Sequence, residues 1–75
     1  MNLKQIMKYM DSIINNSKIL LNKMCYGCKY TYKELLRICN FTESQLCFAI
    51  LCLLRDGKIS QYREKEVIYE LIPVR

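Results

Sequence analysis

Cys25 and Cys28 stand with two residues between them, the spacing of half a zinc site or of a dithiol redox pair. A structural zinc needs four ligands, and the chain offers no histidine and no second Cys-x-x-Cys; Cys39 is a third ligand only if the fold brings it close. Nor is the pair set in the strand–helix–strand context of a thioredoxin-like motif. The five cysteines (Cys25, Cys28, Cys39, Cys47, Cys52) are an odd count, which argues against a closed disulfide framework. No signal peptide is legible in residues 1–24, which are amphipathic and carry four lysines and one aspartate. The best apolar run, Leu46–Leu54, is too short to cross a bilayer. The chain therefore reads as cytoplasmic, with reduced thiols acting as small hydrophobes.

Catalysis has little to draw on. There is no Ser-His or Cys-His pair and no glycine-rich phosphate loop. The acids fall where caps, turns and helix surfaces are expected. The sequence predicts no enzyme, no catalytic residue, no metal or other cofactor and no small-molecule substrate.

What remains is binding. The formal charge is +5, with all of the excess in residues 1–40, where seven Lys/Arg face two acids; residues 41–75 hold five of each. Lys29, Lys33 and Arg37 bracket one short helix, and Arg63 and Lys65 fall at a charged turn. Those are placements suited to phosphate contacts, which position a protein on a duplex without reading its sequence. Bases are read in the major groove by Arg, Lys, Asn or Gln, and the longest apolar helix offers only Ser44, Gln45 and, at its far end, Arg55. Its outer face instead presents Cys47, Phe48 and Leu51. Apolar residues on both faces of a helix imply burial on both faces, against a second copy, another protein or the chain itself. Cys47 is also the thiol best placed for an intermolecular disulfide under oxidising handling.

The elements that must position these residues follow from periodicity. Leu3, Ile6, Met7, Met10, Ile13 and Ile14 repeat at helical spacing, and Ile19, Leu20 and Met24 resume the pattern after Asn15-Asn16-Ser17. The spacing predicts one helix over about 3–25, bent at the asparagines and ended by Tyr26-Gly27. Thr31-Tyr-Lys-Glu34 and Thr42-Glu-Ser-Gln45 are both capping-box sequences, opening helices over 32–39 and 43–56 with a turn at Asn40-Phe41. Leu46, Ala49, Ile50, Leu53 and Leu54 give the third helix its core stripe. Gly57 stops it. Lys58–Tyr62 and Val67–Ile72 read as two strands over 58–72, with Arg63-Glu64-Lys65-Glu66 at the tip and Pro73 as the end. The expectation is a single α+β domain spanning 1–75, mainly α: a winged helix-turn-helix of three helices followed by a β-hairpin wing.

Two stretches, Asn15-Asn16-Ser17-Lys18-Ile19 and Leu53-Leu54-Arg55-Asp56-Gly57-Lys58-Ile59, resemble a group of short, uncharacterised bacterial winged-helix proteins over roughly residues 13–72. Where that group tends to carry Gly-Trp, this chain has Leu51-Cys52. The resemblance implies a DNA-binding-like fold and no defined activity. Two functions stay open. One is a transcription-regulator-like module binding double-stranded DNA through Lys29, Lys33, Arg37, Ser44, Gln45, Arg63 and Lys65. The other is an interaction module that forms a homodimer or docks a protein partner through Cys47, Phe48 and Leu51.

Overall fold

A computed structural model describes residues 3–73, apart from the side chain of Ile6. The expected contribution of Ile6 to the apolar stripe, and the chain ends of the 1–75 domain, therefore lie outside the described residues. Three helices, α1 (Leu3–Lys23), α2 (Tyr32–Cys39) and α3 (Glu43–Arg55), are followed by strands β1 (Ile59–Arg63) and β2 (Val67–Leu71). The layout is α+β, mainly helical, and winged-helix-like.

α1 runs unbroken through Asn15-Asn16-Ser17. Ser17 is buried there, and its hydroxyl donates to the Ile14 carbonyl at 2.6 Å, so no orphaned polar group opposes the helix. The helix stops at Lys23, earlier than the Tyr26-Gly27 stop read from sequence. Gly27 (φ +78°) serves instead in the turn after it, where the Cys28 N–H donates to the Cys25 carbonyl at 3.3 Å. Tyr30 then exchanges two backbone hydrogen bonds with Tyr69, at 3.0 and 2.8 Å, which adds a single-residue bridge to the wing.

Both capping boxes form. The Glu34 N–H donates to Thr31 Oγ1 at 3.3 Å and the Gln45 N–H to Thr42 Oγ1 at 3.2 Å, while Glu34 and Gln45 reach back to accept from the cap N–H groups. Asn40 takes the left-handed conformation (φ 54°) that ends α2, and the axes of α2 and α3 meet at 109°, in the range of a helix-turn-helix. Thr42→Ala is expected to cost about 1 kcal/mol of unfolding free energy and Thr42→Ser far less, as read by urea denaturation.

Gly57 (φ 69°) turns the chain out of α3 into the wing. The strands pair antiparallel from Ile59↔Leu71 to Arg63↔Val67, so Arg63 is the last paired residue of β1 and not part of the tip. The tip is Glu64-Lys65-Glu66, closed by the Glu64 N–H donating to the Glu66 carbonyl at 3.0 Å.

The core draws one or more residues from every element: Leu20 and Met24, Leu35, then Leu46, Ala49, Ile50 and Leu53, and Ile59, Tyr69 and Leu71 from the wing. The stripe expected on α3 is the buried one, with Leu54 only half-buried. Cys52 joins the buried set as a small hydrophobe. Among the described residues, no single helix is long and apolar enough to cross a membrane.

Candidate protein interface on the first and third helices

α3 occupies the place of a reading helix, and its N-terminal turn is open to solvent. Its outward residues Ser44, Phe48, Leu51 and Arg55 follow a four-three-four spacing and lie along one edge. Phe48 and Leu51 are 51% and 55% exposed. Their neighbour is α1. Phe48 and Leu51 share one shallow groove with Met10, Ile13 and Ile14, and Arg55 stands at its end. On the other side of Phe48 a second groove, of about 740 Å³, opens between α3 and Tyr9, Ile13 and Asn16 of α1. Ser44 and Gln45, two of the three α3 residues suited to base contact, line that groove. The Gln45 carboxamide oxygen is already held by the Thr42 N–H at 2.9 Å.

The apolar surface continues along α1. Its C-terminal half enters the core through Ser17 and Leu20, with Met24 just beyond its end, but its N-terminal half runs past the core. Leu3, Met7, Met10 and Ile14, read from sequence as part of one continuous buried-type stripe, remain 42–71% exposed. A helix of 21 residues is about 31 Å long, and the short α2 and α3 cover only part of it. Taking about 200 Å² for a fully exposed large apolar residue, these four residues with Phe48 and Leu51 expose about 650 Å². That is at the top of the roughly 300–600 Å² range of the largest patch on a monomer, a size that is often functional.

Cys47 is exposed but lines neither groove; it lies on the far edge of α3, towards Tyr32 and Tyr69. The Tyr32 hydroxyl donates to the Glu43 carbonyl at 3.1 Å, and its pKa is pushed up by burial first, then by Glu43 and Cys47. The three residues grouped by sequence thus divide, with Phe48 and Leu51 beside α1 and Cys47 beside α2.

The basic residues lie on different elements. Lys33 and Arg37 are exposed on α2, and Arg63 and Lys65 on the wing. Lys29 donates to Glu64 Oε1 at 2.7 Å, tying the bridge strand to the wing tip, and this hydrogen bond and charge hold its ammonium pKa above the ordinary value. Arg55 is engaged with Asp56 at 3.2 Å. On the wing, Tyr62 donates to Glu70 Oε1 at 2.6 Å, and that bond raises its hydroxyl pKa.

Cys25 and Cys28 are both exposed in the turn after α1, where the Cys25 N–H donates to the Tyr30 hydroxyl oxygen at 2.9 Å. Cys39, half-buried on α2, has its thiol pKa raised by burial. Among the described residues, no three Cys, Asp or Glu side chains converge as metal ligands would.

The residues that sequence reasoning missed as surface are Leu3, Met7, Met10 and Ile14. Their own four-three-four spacing was the available signal, because it describes a narrow seam for a neighbouring helix rather than one face of a small core. No protein family, curated protein or solved structure matches the chain.

Proposed function

We propose that this winged-helix domain is a protein-interaction module of the regulatory kind, in which the helix placed to read DNA docks protein. The observation that supports the reading is the half-exposed Phe48–Leu51 edge of α3, continuous with the apolar arm of α1. Base edges call for hydrogen-bonding side chains, and a Phe-Leu edge supplies none. Desolvation of large apolar side chains against a complementary surface is the interaction this edge favours.

A second reading, a transcription regulator that contacts duplex DNA, draws on exposed Lys33, Arg37, Arg63 and Lys65 and on the likeness to short bacterial winged-helix proteins. In that reading the contacts are to phosphates, and affinity falls steeply with salt. The two readings part in one pair of measurements on the full chain: sedimentation over a wide concentration range, and titration of a mixed-sequence duplex at about 50 and 200 mM salt. Self-association with no duplex binding is expected. A chain that stays monomeric and binds duplex at low salt would reverse the order of the two readings.

A further inference from the structure

We infer that the partner of this surface is a second copy of the chain, and that the two copies join through their α1 helices, antiparallel about a two-fold axis between Met7 and Met10. This rests on the docking reading above and names its partner.

The apolar arm is self-complementary. Read forwards its exposed seam is Leu3, Met7, Met10, Ile14, and read backwards Ile14, Met10, Met7, Leu3. Two arms laid antiparallel set Leu3 against the partner's Ile14 and Met7 against the partner's Met10, so each layer closes large apolar on large apolar. The seam also has a coiled-coil register, continuing at the same spacing into Ser17, Leu21 and Met24, which pack within the chain's own core. One half of a single helical seam is therefore filled by the chain itself, and the other half is left for an identical helix.

Charge points to the same register. Asp11 is the sole acid in residues 1–33, and it flanks the seam on the side where Lys4 flanks it one heptad earlier. In the antiparallel arrangement Lys4 faces the partner's Asp11, and symmetry makes the pair twice. Within the chain neither residue belongs to an ion pair among the described residues, where the pairs are Lys29–Glu64 and Arg55–Asp56. Phe48 and Leu51, beside Met10 and Ile14, extend the contact, so that each copy contributes α1 and α3 to a four-helix junction. The apolar patch of about 650 Å² per copy is most of the roughly 800 Å² per partner of a standard stable interface, and the rest falls to the polar rim that carries Lys4 and Asp11.

Charge reversal tests the register. In sedimentation equilibrium at low salt, Lys4→Glu and Asp11→Lys are each expected to raise the dimer dissociation constant about tenfold or more, because each sets like charges opposite twice. The double variant Lys4→Glu/Asp11→Lys restores opposite charges and is expected to return to within about threefold of the native chain. Both residues lie outside the core, and helical circular dichroism checks that the variants stay folded. Single reversals without effect, or a double variant as weak as the sum of the singles, would overturn the antiparallel seam. If Phe48→Asp then still dissociates the dimer, the docking reading survives the loss of this register. A native chain monomeric at all concentrations overturns the two-fold partner, and the duplex titration then decides the docking reading separately.

Discussion

Leu46→Ala is expected to remove about 2–5 kcal/mol of unfolding free energy, in urea or by heat. Leu46 is fully buried in the first turn of α3, in a cluster that joins α1, α2 and the wing. Truncation there loses the transfer energy of the side chain and leaves a cavity that rigid neighbours only partly fill. A 75-residue domain holds about 4–11 kcal/mol of stability in total, so the loss is a large share of it. The melting midpoint should fall by about 10 °C or more. Leu46→Met conserves volume and should cost under about 1.5 kcal/mol. A fall of only a few tenths for the alanine variant would show that α3 is not the keystone of the core.

That keystone was legible because several local signals agree on it. The two capping boxes, Asn40 and Gly57 fix where α2 and α3 begin and end, and each signal is a hydrogen-bond or dihedral requirement satisfied within a few residues. The stripe Leu46, Ala49, Ile50, Leu53 is buried for the same local reason, a period that matches the helix. The hairpin was readable from β-branched and aromatic residues, although Arg63 went to the strand because pairing with Val67 depends on register. Gly27 misled in a similar way. A glycine after a helix pattern is as consistent with a separate turn as with a helix cap, and the geometry chose the turn.

The candidate site was only half legible. Phe48 and Leu51 were identifiable as misplaced for DNA reading, since that argument needs only the side chains of one helix. Whether Leu3, Met7, Met10 and Ile14 are core or surface depends on how much of α1 the rest of the chain can cover. That is a question of lengths and angles between elements, and no local pattern contains the answer. The same limit separated Cys47 from its sequence neighbour Phe48, because α1 and α2 approach α3 from opposite edges.

Phe48→Asp with Leu51→Asp is expected to weaken association by about a thousandfold or more, since two anchors of at least about 2 kcal/mol each are lost. Both side chains are about half exposed in the single chain, so the fold should keep most of its stability, with a cost near 1 kcal/mol from helix propensity and lost packing on α1. Leu46→Ala thus destabilises the domain, whereas the Phe48/Leu51 variant isolates it. Ile38→Asp supplies the control, because Ile38 is 40% exposed on α2 and lines neither groove beside α1. Loss of association in the Ile38 variant, with the Phe48/Leu51 variant unaffected, would move the interface to α2. Equal loss in both would point to general hydrophobic stickiness, which a specific interface with a central anchor does not show.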